Sequence, residues 1–360
     1  MPEPVVATVF ATHPVVSRLR PTAAHQIIIL LNKVFDMNVQ CIIAATVAKL
    51  SDIGGVQQVF LVACGGSLVD MYPAKYFLDG EALTIRNGIY TANEFVYAAP
   101  ASLGENSIVI VCSHGGNTPE SVAAAELAQQ RGATTIILTH NPQADLLRFG
   151  EHSIIYAWGN DSSVEDNPMA IILGLSVEIL QQTQGYAHYA AFQRGVAQID
   201  RVVVRARAQV SDRSERFAER YQHESLFYIL SSGASYGHAY GFAICSLMEM
   251  QWLNAAPIHS GEFFHGPFEV TDRETPFILM INQGRTRALD ERVLSFLQQY
   301  ADKIEVIDAK ELGIGRLPPE VVEYFNPVLF YSVMCEYRAA LALRREHPLE
   351  TRRYMGQVAY

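Results

Sequence analysis

From residue 56 onward, short β-branched runs alternate with longer amphipathic stretches. Residues 56–64 are almost continuously apolar and predict a strand, followed by Gly65-Gly66-Ser67 and a helix through Lys75 and Phe77. Residues 82–85 predict a second short strand, and residues 93–97 open another helix. The run SIVIVC at 107–112 predicts a strand that enters Ser113-His114-Gly115-Gly116-Asn117-Thr118, then a helix from Pro119 to about Gln130. Residues 134–139 and 153–156 complete this first set. A strand that is apolar on both faces is one covered on both faces, which is the signature of a parallel sheet between helices.

A long helical stretch is predicted over 170–221, after which the pattern restarts. Residues 226–231 predict a strand, 232–235 a small-residue turn and 236–254 a helix. Later strands are predicted at 277–281 and 303–307, with a helix at 287–299 between them. Strand, small-residue turn and helix thus occur twice in the same order. The expected fold is α/β, with two tandem doubly wound parallel-sheet units of flavodoxin-like type and flanking helices. The expected division is an N-terminal extension at 1–36, a first unit at 37–190 and a second unit with the C-terminal tail at 191–360. No low-complexity linker separates the units, so a shared interface is expected. Residues 1–36 are expected to lie outside the core fold: their apolar run at 27–31 is too short for a membrane span and too late for a signal peptide.

Composition narrows the partners. Of 360 residues, 49% are hydrophobic and 18% charged, the profile of a globular chain, and the net charge of −10 argues against a nucleic-acid surface. The five cysteines are scattered without a CxxC pair, so neither a disulfide framework nor a zinc site is indicated and a reducing, cytoplasmic setting is expected. No membrane partner is expected.

In open α/β sheets ligands bind beyond the carboxyl ends of the strands, where helix N-termini present free N–H groups. Two loops of the first unit occupy that position. In one, Gly66 allows close backbone approach and Ser67 adds a hydroxyl; in the other, Ser113, His114 and Thr118 bring two hydroxyls and an imidazole to one turn. Each loop alone is also explained by tight turns and helix caps. Together on one sheet edge they favour an anion site. Neither has the GxxxxGK[ST] or GxGxxG spacing, so a nucleotide cofactor is not supported.

The densest polar cluster in an apolar setting runs from Glu249 to Glu269 and includes His259, Glu262 and His265. Glu249 stands in an otherwise apolar run, where a carboxylate is disfavoured unless paired, and a carboxyl near an imidazole suits proton transfer near pH 7. The same spacing also fits a helix carboxylate bonded to a backbone group or an arginine. The residues alone leave both readings open.

The segments VACGGS and SHGGNTPE, the restart at Leu226 and the stretch HSGEFFHGPFE together resemble the sugar isomerase (SIS) domain family in its double-domain form. GEFFHGP resembles a segment of the isomerase half of glucosamine-6-phosphate synthase. EMQW, IHSGEFFHGPFE, TRALDER, IEVIDAKELG, QGYAHY and the tail HPLETRRYM resemble more closely the deglycases that split 6-phosphorylated Amadori compounds, of the fructose-asparagine type first and the fructoselysine type next. The resemblance covers residues 37–360. It implies phosphate and sugar contacts at Gly66, Ser67, Ser113, His114 and Thr118, a catalytic carboxylate at Glu249 and a ring-opening histidine at His265. Glu262, His259 and Arg353 are supporting candidates. Gly115 stands where the family often has serine, so one hydroxyl contact is lost or supplied elsewhere. The resemblance further implies a phosphorylated sugar–amino acid substrate, no metal or organic cofactor, and a homodimer in which His265 serves the neighbouring subunit's site. Arg285, Arg287, Arg352 and Arg353 are candidate partners for the amino acid's carboxylate. Two alternatives use the same residues: a ketose–aldose isomerase, and a non-catalytic sugar-phosphate sensor.

Overall fold

The computed structural model describes residues 27–29, 38–159 and 163–359. The first unit runs β1 (Ile27–Ile29), α1 (Asn38–Ser51), β2 (Gln58–Ala63), α2 (Gly65–Val69), α3 (Tyr72–Glu81), β3 (Arg86–Thr91), α4 (Ala92–Tyr97), β4 (Ser107–Cys112), α5 (Pro119–Gln130), β5 (Thr134–Thr139) and β6 (His152–Ile155). Its six strands form one sheet in the order β1-β6-β5-β4-β2-β3, with every pair parallel. Two helices, α6 (Pro168–Thr183) and α7 (Tyr189–Tyr221), lead to the second unit. There β7 (Leu226–Ser231), α8 (Tyr236–Gly241), a π-helix (Phe242–Glu249), β8 (Asn254–His259), β9 (Phe277–Ile281), α9 (Arg287–Tyr300), β10 (Ile304–Asp308) and α10 (Val322–Arg344) build a four-stranded parallel sheet ordered β10-β9-β7-β8. Apart from β1, both units are wound alike: the chain starts in the middle, steps to one side and then crosses to the other. Two tandem doubly wound units are therefore present, and no described helix is long and apolar enough to cross a membrane.

The alternation of side chains along each strand sorts the core into layers. Val59, Leu61 and Ala63 of β2, Ile108, Ile110 and Cys112 of β4, Ile229 of β7 and Met280 of β9 all enter one central core shared by both units. Phe60, Val62, Val109 and Val111 face the opposite way, into a core under α4 and α5, while Leu230, Leu279 and Ile281 face a third core under α9. The expected shared interface is thus a common hydrophobic core. Close approach at this interface depends on Gly237 of α8: a Cβ there would lie 2.3 Å from Cβ of Tyr72 on α3.

Four expectations are corrected, three of them at a sheet edge. Ile27–Ile29, expected outside the core fold, forms β1 and pairs in parallel with β6; a short β-branched run has satisfied an otherwise open edge. The strand expected at 82–85 lies instead at Arg86–Thr91, a half-exposed edge strand with no apolar run to mark it. The helix expected to reach residue 254 gives way to a π-helix ending at Glu249, and Asn254–His259 is a strand. Pro257 disguises β8 in the sequence, yet an edge strand pairing only with β7 tolerates it. The helical stretch expected over 170–221 is two helices with a break after Thr183, and α10 is an element the hydrophobic pattern did not reveal.

Candidate active site

The crossover between β2 and β4 opens a crevice at their carboxyl ends, and both predicted loops lie there. Ser113 is buried, and its hydroxyl lies 3.1 Å from that of Thr118 while accepting the Gly116 N–H at 3.2 Å. Thr118 is the N-cap residue of α5 but makes no side-chain cap bond, which leaves its hydroxyl turned to Ser113. The loop is held from below. Thr139 Oγ1 donates to the His114 carbonyl at 3.0 Å, Asn141 Nδ2 to the Gly115 carbonyl at 3.2 Å, and the Leu146 N–H to the Gly116 carbonyl at 3.0 Å. His114 stacks flat on His140, with 5.2 Å between centroids, and its Nδ1 lies 3.0 Å from the Tyr156 hydroxyl. Partial burial and then the neighbouring His140 hold its imidazole below the ordinary range, so it is neutral near pH 7 and able to hydrogen-bond without charge. Ser67 reaches the same place from the other loop: burial and the charge of Asp70 push the Cys112 thiol at the end of β4 up, while hydrogen bonds with Ser67 and Tyr156 pull it down. Gly66, Ser67, Ser113, His114 and Thr118 are therefore brought to one crevice.

Glu249 arrives from the second unit. It ends the π-helix, a rare geometry that recurs at functional sites because its extra residue per turn re-aims side chains. One helical step earlier, Cys245 faces Gly66 of the first loop, with Sγ 3.8 Å from where a Gly66 Cβ would be. Burial first, then the charges of Glu249 and Asp70, push the Cys245 thiol up to about 12. The π-helix that ends at Glu249 therefore packs, through Cys245, against the first loop. The Glu249 carboxylate is not alone: Arg352 Nη2 donates to Oε1 at 2.6 Å, which is the pairing that the apolar context of Glu249 requires. Arg352 is itself held by the tail, through the carbonyls of Leu349 and Thr351. Arg353 lies over the Trp252 ring at 4.3 Å, and His347 meets the same ring edge-on at 4.5 Å. The C-terminal segment is a strap laid across Trp252 that sets the guanidinium on Glu249.

The remaining predicted residues sit on the turn after β8. Phe263 is fully buried against Phe264, Phe277 and Phe296, which anchors the GEFFHGP segment and turns Glu262 and His265 outward to solvent. His259 accepts the Gly261 N–H on Nδ1 at 3.0 Å and lies edge-on to Tyr236. Burial holds its imidazole below the ordinary range, with Glu262 opposing. Among the described residues no hydrogen bond or ion pair joins Glu249 to His259 or His265; its carboxylate is paired with Arg352. Nor are the four candidate arginines free. Arg285 is bonded to Glu323 at 2.6 Å, Arg287 grips Asp308 with two N–H groups at 2.8 and 2.6 Å, Arg352 holds Glu249, and Arg353 covers Trp252.

The equivalent crevice of the second unit, between β7 and β9, is closed by its own side chains. Asn282 Nδ2 donates to Ser232 Oγ, Thr286 Oγ1 and Asp290 Oδ2, and Ser260 Oγ donates to Asp290 Oδ1 at 2.6 Å. Asp290 is fully buried there.

Two residues of the open crevice were missed by sequence reasoning. Asp70 and His238 line a 50 Å³ cavity between the first loop and α10. Burial pushes the Asp70 carboxyl up to about 8 and the His238 imidazole down to about 3. The signal for Asp70 was a lone carboxylate in the apolar run Leu68 to Met71. An unfolded aspartate ionises near pH 4 and folded Asp70 near pH 8, so the folded state holds an extra proton in between and stability falls as pH rises through that window. Asp70→Asn removes the loss. Its melting temperature relative to the unsubstituted protein is expected to be higher at pH 8 than at pH 5; a difference independent of pH would mean that Asp70 is ionised in the folded protein.

Comparisons with known proteins place the chain among sugar-phosphate α/β proteins by sequence and fold. Residues 56–173 match the SIS domain family. The fructosamine deglycase FrlB of Bacillus subtilis (strain 168) is 40% identical over 315 residues, covering 87% of this chain and 96% of that protein. The fructoselysine 6-phosphate deglycase of Escherichia coli (strain K12) is 25% identical, covering 84% of this chain and 86% of that protein. A solved phosphosugar isomerase-type structure from Salmonella typhimurium LT2 superposes with a TM-score of 0.86 at 42% identity, covering 90% of this chain and all of that one. The C-terminal domain of glucosamine-fructose-6-phosphate aminotransferase from Francisella tularensis, at 16% identity and a TM-score of 0.72, covers 86% of this chain and 93% of that chain and shares the fold alone.

Proposed function

The chain belongs to the family of SIS-domain deglycases that includes the Bacillus subtilis fructosamine deglycase, and from that premise we propose that it hydrolyses a 6-phosphorylated Amadori compound to glucose 6-phosphate and the free amino acid. Fructose-asparagine or fructose-aspartate 6-phosphate is the first choice of substrate, and fructoselysine 6-phosphate the next. The observation that supports the reading is the π-helix ending at Glu249, which brings Cys245 against Gly66 of the first loop, in a chain 40% identical to a fructosamine deglycase.

In this reading the phosphate sits among the hydroxyls of Ser67, Ser113 and Thr118 and the N-terminal N–H groups of α5. His265 moves a proton from the anomeric hydroxyl to the ring oxygen, which opens the ring to the 2-keto form. Glu249 takes a proton from C1, giving the 1,2-enaminol, and a proton is returned to C2. The product is the aldose Schiff base. Water adds to its C1, and the carbinolamine breaks its C1–N bond to release the amine and the aldehyde of glucose 6-phosphate. In that last step the proton of the C1 hydroxyl passes to the departing nitrogen; all the others are proton transfers or addition of water, so no oxidant or reductant enters the balance.

Since His265 is solvent-exposed in one chain, the reading also includes a homodimer in which the GEFFHGP turn of one subunit completes the site of the other. The test of function is release of glucose 6-phosphate from the asparagine, aspartate, lysine and glycine adducts of fructose 6-phosphate, with fructose 6-phosphate as control. Release from one or two adducts is expected. Turnover of fructose 6-phosphate alone would transfer the assignment to an isomerase, and tight binding without turnover would transfer it to a sensor.

A further inference from the structure

A cavity of about 230 Å³ opens beside the crevice, lined by Trp158, Asn167, Arg207, Tyr331, Ser332 and Arg338. It is smaller than the roughly 300–1,000 Å³ of pockets that enclose drug-sized ligands, which suits a fragment the size of an amino acid. Both units build it: Asn167 caps α6, Arg207 belongs to α7, and Tyr331, Ser332 and Arg338 belong to α10. Trp158 forms the wall towards the sugar-phosphate loops. Its indole lies edge-on to His114 at 5.0 Å on one side and 6.4 Å from Tyr331 on the other. The smaller cavity that touches Gly66 and Asp70 shares Tyr331 and Arg338 with it. A group projecting from a sugar held by Ser67 and His114 therefore has this cavity within reach.

The two guanidiniums of the lining differ. Arg207 is paired with Glu336 at 2.6 Å. Arg338 has no carboxylate within ion-pair distance among the described residues and rests over the Tyr331 ring, 6.0 Å from its centroid. A partly buried guanidinium without a counter-ion has lost hydration that an anion would restore, and its planar fork matches a carboxylate with two parallel hydrogen bonds. In a chain of net charge −10 such an uncompensated cation beside the crevice stands out. Of the four arginines that sequence reasoning put forward, Arg285, Arg287 and Arg352 already hold carboxylates, and Arg353 is an exposed tail residue over Trp252, away from this cavity's lining. We infer that Arg338, in the cavity walled by Trp158 and Tyr331, binds the carboxylate of the amino acid that the reaction releases. The inference rests on the deglycase reading and gives it a specificity-determining residue.

The test compares two substrates that differ by that carboxylate: the 6-phosphofructose adduct of asparagine and that of 3-aminopropanamide, its decarboxylated counterpart. The unsubstituted enzyme should prefer the asparagine adduct by about 10- to 100-fold in kcat/KM, the span of one charge-assisted hydrogen-bonded contact. In Arg338→Gln that preference should collapse towards unity, mainly through KM. Arg338→Lys, which keeps the charge without the fork, should fall between. A preference that survives in Arg338→Gln overturns the inference, and so does an equal loss on both adducts in a variant that melts normally. Silence of the unsubstituted enzyme on both adducts, with turnover of fructose 6-phosphate, sinks the deglycase reading itself and the inference with it.

Discussion

Replacement of Glu249 by glutamine is expected to lower turnover of the preferred adduct by roughly 100-fold or more, the lower range of a general acid–base group's contribution. Glutamine keeps the side-chain length and an oxygen that can still accept from Arg352 Nη2, so the strap across Trp252 has no reason to lift. What it cannot do is take a proton from C1. The loss should therefore appear in kcat, with KM and the melting temperature close to those of the parent. Near-normal turnover would remove Glu249 from the mechanism. The same variant tests the shared site. Neither Glu249→Gln nor His265→Asn should be active alone, but mixed dimers should regain about a quarter of the parent activity, because in a half-and-half mixture half the dimers are mixed and each holds one intact pair. No recovery after subunit exchange would place both residues' work within one chain.

Gly116→Ala is expected to damage stability and binding together. Gly116 has a φ of +69°, and a Cβ on it would lie 2.2 Å from Cβ of Ala144 and 2.8 Å from Oγ1 of Thr139. Neither neighbour is the end of a flexible side chain. Left-handed strain and overpacking together should cost about 2–4 kcal/mol, seen as a drop of several degrees in melting temperature. The clash also lifts the loop at the residue whose N–H donates to Ser113, and a misplacement of about 1 Å is enough for roughly a 100-fold loss in kcat/KM. Gly115→Ala is the control: nothing lies within 4 Å of its added Cβ, so stability should hold. Equal behaviour of the two variants would show that the loop adapts and does not template the site.

The central strands were legible because burial on both faces leaves only apolar choices. β4, β5, β7 and β9 fall at the residues that the hydrophobic pattern marks, and β2 within two residues of it. Two edge strands were not, since Arg86–Thr91 and Asn254–His259 face solvent or loops and carry no such pattern, whereas the edge strand β10 was marked by its β-branched run. The site divides in the same way. Glycines and hydroxyls beyond β2 and β4 are local signals and marked the two loops. Glu249 was visible as one carboxylate in an apolar run, but its partner Arg352 lies 103 residues away and belongs to a tail whose docking only the tertiary structure reveals. Arg338 is one more basic residue on a helix until α10 is placed against Trp158.

The closed crevice of the second unit has a consequence for how a doubled fold comes to work. Two copies descended from one ancestor would each have inherited a pocket, and titration would then count two ligands per polypeptide. Here Asn282 and Asp290 fill the corresponding place in the second unit with their own hydrogen bonds. The expected stoichiometry is then one ligand per polypeptide, and the second copy is free to form the opposite wall of its sibling's pocket. On the proposed reading an ancestral symmetry has become a division of labour, with one half gripping the sugar phosphate and the other supplying the base.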